Sequence, residues 1–423
     1  MLADEVCTCL SLDVMSYWLL RKGENNVPGD RIVKTKLLLL MLTAAIVMLL
    51  TASVMAQDAL PTWKDLPAGE WTMIPAGGET ICSDGSPYSF FARPADSQSD
   101  KLLIHFQGGG ACWFGLICDL KSNPSYDPTV DASDTPANYD GIFNFQNEAN
   151  PFGDYNMVFA PYCTGDVHVG NQDTTYVVKD GSANRDVLIH HRGYANATTV
   201  LNWTFDNVKD PSSVFVTGCS AGSIPTPLYT QFVAEAYPKA RIEELGDSSG
   251  SYRAPSLSKQ VFSQWGTLSI LPKNYSDETV DTLTFEDFYS YTAAAFPSIS
   301  LAQYNSANDA VQVGFLQLSG ITGTPLKELQ DANFADILAS GDKVDFHTFT
   351  AGGNAHCITP TPDFYNYSVN GMSFRDWVAA LAAGDAIETV SCTDCATAEL
   401  LHPAAMTTDA PDMAATAEAT QKP

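Results

Sequence analysis

The chain has 423 residues, of which 22 are Lys or Arg and 49 are Asp or Glu, so its formal net charge is −27. A surface this acidic repels phosphate backbones, and we therefore expect no nucleic-acid partner. Hydrophobic residues make up 45% of the chain, which is enough for the sizeable core of one large domain or two ordinary ones.

The beginning of the chain has the pattern of a targeting segment. An apolar run over residues 37–50 follows three basic residues, Arg31, Lys34 and Lys36. This pattern predicts a secretory signal peptide over residues 32–56, cleaved after Ala56. An uncleaved anchor is the alternative, although the run is short for a membrane span. Residues 1–31 precede the signal, and we expect them to be an N-terminal extension from a mis-called start site.

The predicted cleavage implies a secreted protein, extracellular or periplasmic, with no stable membrane insertion after signal cleavage. The other end of the chain differs in composition. Residues 403–423 are rich in Ala, Thr, Asp and Pro, which predicts a disordered tail.

Strand-like and helix-like stretches alternate over residues 57–402. Apolar runs predict strands at residues 102–106, 156–161, 214–217, 241–245, 299–304 and 344–349. Helices are predicted between or after them at residues 194–207, 227–237 and 374–383. This order predicts one α/β-hydrolase-like domain with a mostly parallel central sheet and helices on both faces, entered through a β-hairpin near residues 71–93.

The turn after the strand at residues 214–217 carries a candidate nucleophile. Gly218-Cys219-Ser220-Ala221-Gly222 fits the Gly-x-Ser-x-Gly nucleophile elbow, in which a serine stands on a sharp strand-to-helix turn. Bulky neighbours would clash in such a turn, so glycines flank the serine. The alternative is a tight turn that only packs against the sheet. Cys219 is expected to point into the sheet as a small buried apolar residue.

A serine nucleophile needs a base, which in this fold follows it in the chain. Three histidines lie downstream: His347, His356 and His402. His347 falls inside a predicted strand, and His402 borders the tail. His356 follows the last predicted strand in a glycine-rich loop, from which an imidazole could reach Ser220. We therefore predict His356 as the base.

The base needs a carboxylate that orients it. Asp309 follows the next-to-last predicted strand, where this fold usually places the acid, and Asp247 follows the strand after the elbow. We prefer Asp309 and keep Asp247 as the alternative, although either carboxylate could instead cap a turn or a helix.

Three glycines follow the first strand of the predicted sheet at residues 108–110. Backbone amides in such a loop can approach a substrate closely and stabilise an oxyanion. The predicted donors are the amides of Gly109, Gly110 and Ala221. This chemistry needs no cofactor and no metal.

Ten cysteines are present, eight of them after Ala56, and an even number in an exported chain predicts disulfides. Cys112 and Cys118 are close enough for a local bridge. The Cys392-Thr-Asp-Cys395 segment could be a bridge, a redox pair or half of a metal site. No second Cys-x-x-Cys segment exists, which argues against zinc.

With these features in order, the chain resembles the pectin acetylesterase family of serine carboxylesterases over roughly residues 70–380. Six segments carry the resemblance: Gln107–Trp113, Pro161–His168, Gly218–Gly222, Gly246–Gly250, Asn308–Gln312 and Ala355–Cys357. The resemblance implies that Ser220, Asp309 and His356 are the catalytic residues, and that Gly109, Gly110 and Ala221 are the oxyanion donors.

The resemblance also assigns residues around the site. It implies Cys82–Cys163 and Cys112–Cys118 bridges, and it places Trp113 at the pocket mouth, where core packing is the alternative. Asp166 and His168 would be structural or pocket-wall residues. The chain departs from the family at three positions near the expected pocket: Gln107, Ala111 and Ser223.

The expected function is that of a secreted serine carboxylesterase that hydrolyses short acyl esters, acetyl above all, by a Ser-His-Asp acyl-enzyme mechanism. The resemblance implies O-acetyl groups on pectin or a related polysaccharide as substrate, or a small ester. Pectin is a polyanion, and an acidic surface would repel it unless a basic patch offsets the charge. The alternatives are a secreted peptidase on the same fold and a non-catalytic glycan-binding protein.

Overall fold

The computed structural model describes residues 60–180 and 183–401. The predicted signal peptide, the extension before it, His402 and the tail lie outside the described residues. The described residues form one compact unit around a nine-stranded sheet.

The strands of this sheet are, in chain order, β1 (Thr72–Pro75), β2 (Ser89–Arg93), β3 (Lys101–Phe106), β4 (Asn156–Ala160), β7 (Ser213–Cys219), β8 (Arg241–Asp247), β9 (Ser300–Ser306), β10 (Phe346–Ala351) and β13 (Val390–Ser391). Their spatial order is β1-β2-β4-β3-β7-β8-β9-β10-β13. Strand β2 pairs antiparallel with β1 on one side and with β4 on the other. All the remaining neighbours in this sheet, in the spatial order from β4 to β13, are parallel. The mostly parallel sheet of the prediction is confirmed.

Eight α-helices lie between or after the strands: α1 (Gly193–Asn207), α2 (Thr226–Ala236), α3 (Pro255–Trp265), α4 (Asp287–Ala295), α5 (Ala310–Leu318), α6 (Leu326–Ala339), α7 (Asp363–Asn366) and α8 (Phe374–Ala383), counting the described residues. Single 3-10 turns occur at Trp63–Asp65, Ala132–Asp134, Pro136–Asn138, Gly141–Phe143, Ser220–Gly222, Thr267–Ile270 and Lys273–Tyr275.

Two smaller sheets complete the fold. Strands β5 (Gln172–Asp180) and β6 (Ala183–His191) pair as an antiparallel hairpin. Strands β11 (Tyr367–Val369), β12 (Met372–Ser373) and β14 (Glu399–Leu400) form the other, in the order β12-β11-β14.

Alternation along the central strands buries both faces of the sheet. In β3, Leu102 and Ile104 join a core cluster with α1, α2 and α6, whereas Leu103 joins a second cluster with α8. Successive side chains of a strand point to opposite faces, so continuous apolar runs of this kind need helices on both sides. The predicted α/β architecture follows from this pattern.

Helix ends follow their capping chemistry. The Ser373 side chain caps α8 by accepting the Asp376 amide, and Gly384 ends the helix at a φ of 74°. A proline stands in the first turn of α2, where its fixed φ suits the start of a helix. Along the part of the chain described, no helix is long and apolar enough to cross a membrane.

Candidate active site

The predicted nucleophile stands at the carboxyl end of β7, near the middle of the sheet. Ser220 has a φ of 54°, in the left-handed region that non-glycine residues rarely adopt, and it begins the 3-10 turn that leads toward α2. This is the strained strand-to-turn geometry of a nucleophile elbow.

The flanking glycines are required by backbone packing. A Cβ at Gly218 would collide with the Gly222 carbonyl, and a Cβ at Gly222 would collide with the Phe106 carbonyl of β3. A third contact joins the glycine loop to the elbow, because a Cβ at Gly108 would meet the Cys219 carbonyl and lie 3.0 Å from Ser220 Cβ. The elbow and the glycine loop are therefore in direct contact.

Ser223, one of the three positions that depart from the family pattern, belongs to the elbow itself. Its amide and its hydroxyl both donate to the Ser220 carbonyl oxygen, at 2.9 and 2.8 Å. The Ser223 side chain is fully buried. This substitution supports the turn and does not shape the pocket.

The predicted acid and base are in contact. Nδ1 of His356 lies 2.7 Å from Oδ2 of Asp309. The Asp309 side chain has no solvent exposure, and that of His356 is 16% exposed. When Nδ1 carries the proton and donates to the carboxylate, Nε2 is left as an acceptor on the far edge of the ring.

The same carboxylate caps a helix. Oδ1 of Asp309 accepts the amides of Val311 and Gln312 at 2.9 and 3.0 Å, at the start of α5. The Gln312 side chain donates to Oδ2 at 3.0 Å. These donors hold the carboxylate in one orientation. The expected alternative role as a helix cap is therefore present in addition to the contact with His356.

Asp247 does not pair with the base. Its carboxylate accepts the Ser248 hydroxyl and both the amide and the hydroxyl of Thr359, at 2.6 to 2.8 Å. Complete burial raises the pKa of Asp247, and the hydrogen bonds from Thr359 oppose that rise. Through these hydrogen bonds, Asp247 holds the loop that follows His356 in place.

His347 is also remote from the nucleophile. It lies within β10 and contacts Asp345 two residues earlier, with Nε2 2.7 Å from Oδ1.

The prediction that Cys219 is a small buried apolar residue is wrong, because the residue is half-buried and its sulfur is bonded. It forms a disulfide with Cys357, across a sequence separation of 138 residues. Cys219 directly precedes Ser220, and Cys357 directly follows His356, so this bond links the elbow to the base loop. A cysteine next to each of the two predicted residues was a signal in the sequence that could have indicated the pairing.

Three further disulfides are present. Cys82 is bonded to Cys163 and Cys112 to Cys118, the two pairs that the resemblance implied. Cys392 is bonded to Cys395. Of the three possibilities that the sequence left for this segment, a disulfide bridge is the one present. In the described ranges, no group of three or more His, Cys, Asp or Glu side chains is arranged to hold a metal ion.

The glycine loop adopts conformations that only glycine tolerates well. Gly109 has a φ of 145° and Gly110 a φ of 89°, and a Cβ at Gly110 would collide with the Ser125 carbonyl. Neither the Gly109 nor the Gly110 amide donates a hydrogen bond to another described residue. Both amides are therefore available to an oxyanion.

An apolar pocket of about 40 Å³ opens beside the nucleophile. Thirteen residues line it: Gly110, Ala111, Trp113, Val167, Ser220, Ala221, Ile224, Tyr252, Leu257, Val261, Trp265, Phe285 and Phe315. Trp113 is thus a pocket residue, and it is also 95% buried, since its exposure is 5%. Five of the thirteen come from residues 252–285, which carry no motif and which the sequence did not single out.

The segment after β4 supports the pocket from behind. Asp166 accepts the Gly193 amide and the Thr164 hydroxyl, and Nε2 of His168 lies 2.9 Å from the Gln107 carbonyl. Burial raises the pKa of Asp166 to about 6 and lowers that of His168 to about 4. Both side chains are structural, and Val167 between them contacts the pocket.

Gln107 and Ala111 have different positions relative to the pocket. The Gln107 side chain contacts the Tyr139 hydroxyl at 3.0 Å and accepts the Tyr162 amide at 2.8 Å, so it is held inside the protein. Ala111 lines the pocket itself. Of the three departures from the family pattern, only Ala111 changes the shape of the cavity.

Comparison with known proteins gives a family. A family model described as Pectinacetylesterase matches residues 70–313, which is more than half of the 423 residues. The matched segment contains Ser220 and Asp309, and His356 lies beyond it.

Individual relatives match shorter segments. Palmitoleoyl-protein carboxylesterase NOTUM of Schmidtea mediterranea is 33% identical over 102 residues, 23% of this chain and 19% of the relative. Pectin acetylesterase 5 of Arabidopsis thaliana is 24% identical over 162 residues, 38% of this chain and 36% of the relative. Inactive palmitoleoyl-protein carboxylesterase notum1b of Danio rerio is 30% identical over 103 residues, 22% of this chain and 68% of the relative.

The first two of these matches cover well under half of the relatives' own length. The family match, by contrast, spans both the glycine loop and the elbow on an α/β-hydrolase-like fold. The chain belongs to the pectinacetylesterase family.

Proposed function

We propose that the chain is a serine carboxylesterase in which Ser220 is the nucleophile, His356 the base and Asp309 the acid that orients it. The buried contact between His356 Nδ1 and Asp309 Oδ2 carries this proposal. Nothing in binding alone requires a buried carboxylate on a histidine whose chain neighbour is disulfide-bonded to the residue before a strained serine.

The reaction proceeds in two acyl-transfer steps. Nε2 of His356 takes the hydroxyl proton as Ser220 Oγ attacks the ester carbonyl, and the oxyanion accepts hydrogen bonds from the amides of Gly109, Gly110 and Ala221. His356 then gives its proton to the leaving alcohol, which yields an acyl-serine. Water repeats the sequence: His356 takes a water proton, hydroxide attacks the acyl carbon, and the proton returns to Ser220 as the acid departs.

The pocket favours a short acyl group. A cavity holds a water when roughly 10–15 Å³ is free, so about 40 Å³ corresponds to about three groups of that size. An acetyl group fits this space, and an apolar wall suits its methyl end. The acceptor we propose is an O-acetylated polysaccharide, pectin or a related glycan, or a small ester.

The charge of the chain bears on which glycan is used. With a net charge of −27, the protein repels a polyanion such as pectin at long range, and less so at high salt. To distinguish pectin from a neutral glycan as substrate, acetate release is measured from acetylated pectin and from a neutral acetylated glycan, each at low and at high salt. Preference for the neutral glycan at low salt would remove pectin as the main substrate.

A longer acyl chain is the second candidate, and the apolar lining of the pocket favours it. Nine of the thirteen lining side chains are aromatic or branched aliphatic groups: Trp113, Val167, Ile224, Tyr252, Leu257, Val261, Trp265, Phe285 and Phe315. The names of the Schmidtea and Danio relatives refer to palmitoleoyl-protein substrates. A series of p-nitrophenyl esters from acetate to palmitate decides between a short and a long acyl group.

A peptidase and a non-catalytic glycan-binding protein are the rivals. The name of the Danio relative states that it is inactive, so membership of the family does not by itself establish turnover. Cleavage of amides with little ester hydrolysis would favour the peptidase, and glycan binding without turnover would favour the binding protein.

We also propose that the protein is exported. Four disulfides in one chain fit an oxidising compartment, in agreement with the predicted signal peptide. The N-terminus of the protein recovered from its native compartment, determined by mass spectrometry, tests cleavage after Ala56.

The deciding experiment is hydrolysis of p-nitrophenyl acetate by the full chain and by Ser220→Ala. We expect the variant to lose nearly all turnover, by about 10⁶-fold. Ser223→Ala is the matched control, because its hydroxyl supports the same turn without facing the pocket. Equal rates for wild type and Ser220→Ala would overturn the proposal.

A further inference from the structure

The loop that carries the proposed base is held by hydrogen bonds before and after His356, at Gly353 and at Cys357. His356 follows β10 in irregular backbone, and neither its amide nor its carbonyl hydrogen-bonds to another described residue. The backbone position of His356 is therefore set by the residues on either side of it.

On the carboxyl side, the anchors are strong and non-local. The Cys357 amide donates to the Ser248 hydroxyl at 3.0 Å, and Thr359 donates to Asp247. Both acceptors lie at the carboxyl end of β8, next to β7, and Cys219 of β7 is in register with Asp247. The segment after His356 is thus fastened to β8 by hydrogen bonds.

Among the described residues, one anchor of this segment reaches β7, which carries the proposed nucleophile, and it is covalent. The Cys219–Cys357 disulfide has a Cα–Cα distance of 5.6 Å. Consecutive Cα atoms are about 3.8 Å apart, so the bond keeps the Cα atoms of Ser220 and His356 within about 13 Å of each other.

The backbone at both ends of this link is strained. Ser220 and Cys357 have φ values of 54° and 57°, and Ser248 beneath them has a φ of 68°. Residues other than glycine hold such conformations only where the surroundings over-determine them. The disulfide therefore joins Cys357, which is strained, to Cys219, which directly precedes the strained Ser220.

We propose that the Cys219–Cys357 disulfide is a positioning bond for the reaction, which fixes the approach of His356 Nε2 to Ser220 Oγ. This inference rests on the proposed function. Without the bond, Asp309 still contacts the imidazole, but the distance between base and nucleophile varies. Because misplacement by about 1 Å can cost about 100-fold in rate, kcat falls by about 10- to 100-fold while KM changes little.

The first test is the double variant Cys219→Ala/Cys357→Ala, with Cys82→Ala/Cys163→Ala as the matched control. The two bridges span 138 and 81 residues, and the entropic stabilisation of a disulfide grows only with the logarithm of loop length, so both variants lose similar stability. Neither cysteine of the control adjoins a proposed catalytic residue.

Turnover is measured with p-nitrophenyl acetate and divided by the number of serines that react with a fluorophosphonate at completion. A merely structural role lowers the number of reactive sites and leaves kcat per site unchanged. We expect kcat per site to fall at least tenfold in Cys219→Ala/Cys357→Ala and to stay within twofold of wild type in the control. An unchanged kcat per site in both variants would overturn the inference.

Limited reduction of the wild type covers the case in which the variant does not fold. Dithiothreitol supplies two electrons and two protons per bond and becomes a cyclic disulfide, and alkylation with mass spectrometry identifies which bridge has opened. We expect kcat to fall with the opening of Cys219–Cys357 and to recover on reoxidation. Full activity with that bridge open would contradict the proposal, whereas a wild type without Ser220-dependent turnover would overturn the proposed function as well.

Discussion

The proposed nucleophile and the proposed base are held in place by different parts of the sequence. Ser220 sits in a turn whose geometry is set by its own neighbours and by one adjacent strand, since a Cβ at Gly218 or Gly222 would strike backbone next to it. His356 is held by contacts across 112 and 138 residues of sequence, to Asp247 through Thr359 and to Cys219 through Cys357. A motif describes the first kind of support and contains no information on the second.

The contrast extends to the loop before the base. Asn308 and the Gly353 amide both donate to the Cys395 carbonyl, at 2.8 and 3.0 Å, so the Cys392–Cys395 segment braces the acid and the base loops together. The base side of the site therefore depends on a distant part of the chain that lies beyond the matched family segment.

Among variants of the residues that support the two side chains, the largest expected effect tests which carboxylate serves the proposed base. Asp309→Asn removes the charge beside His356 Nδ1 and allows the wrong tautomer, so we expect kcat/KM for p-nitrophenyl acetate to fall about 10⁴-fold. Asp247→Asn is the control, because Asp247 is equally buried and its carboxylate accepts hydrogen bonds from Thr359 and Ser248, whereas that of Asp309 contacts His356. We expect it to lose less than tenfold. Equal losses in the two variants would mean that both carboxylates act on the base.

The second effect tests the rigidity of the nucleophile side. Gly222→Ala forces its Cβ onto the Phe106 carbonyl, so the elbow must shift, and we expect kcat to fall by about 100-fold and the melting temperature to drop. Gly314→Ala is the matched control, since Gly314 lies within α5 with open space around its Cβ position.

In the control, alanine replaces glycine in a helix interior and should stabilise the fold by about 1 kcal/mol without loss of rate. Kinetics and thermal unfolding of both variants give the answer. A Gly222→Ala variant with normal kcat would show that the elbow tolerates movement, and the contrast between the two sides would then disappear.

These differences explain what the sequence could predict. The six predicted central strands and the three predicted helices are present, because each rests on local periodicity, capping or a turn motif. The prediction for Cys219 failed because a disulfide partner is chosen by three-dimensional proximity, and the cysteines beside Ser220 and His356 indicate a pairing only once those two residues are placed in one site. Likewise, Gln312 contacts the Asp309 carboxylate because α5 begins at Ala310 and brings the Gln312 side chain back toward Asp309.

The pocket was the least predictable part of the site. Its wall uses Tyr252, Leu257 and Phe285 from segments around α3 and before α4 that read as ordinary amphipathic sequence. The β5–β6 hairpin also went unpredicted, although its buried residues Tyr176, Val187 and Ile189 pack in the same cluster as Trp113. Core packing and ligand contact use the same residue types, so the sequence alone does not separate them.

A third, smaller effect tests the short-acyl interpretation of this pocket. Ala111→Leu fills the narrow cavity, so we expect the ratio of butyrate to acetate hydrolysis to fall about tenfold, with acetate hydrolysis itself less affected. Leu116→Ala is the control, because Leu116 lies in the same loop but is 58% exposed. An unchanged ratio in Ala111→Leu would place the acyl group elsewhere.

The smallest expected effect concerns stability behind the elbow, where Glu244 is buried in β8. Its carboxylate accepts hydrogen bonds from Thr226, at the start of α2, and from Tyr289. Burial raises the pKa of Glu244 to about 8, and these hydrogen bonds oppose the rise. Between the ordinary pKa of 4.5 and about 8, the folded chain therefore keeps a proton that the unfolded chain has lost.

Stability consequently falls as pH rises through that window, because the folded state binds more protons than the unfolded state. Glu244→Gln cannot ionise, so its melting temperature should decline less between pH 5 and pH 8 than that of wild type. Some decline remains in the variant, because burial also raises the pKa of Glu243 to about 7 and that of Asp166 to about 6.

Glu235→Gln, on the exposed side of α2, is the control and should keep the wild-type slope of melting temperature against pH. If Glu244→Gln keeps it too, the carboxyl group ionises in the folded protein as readily as in the unfolded chain, and the nucleophile side is less tightly packed than its glycine contacts indicate.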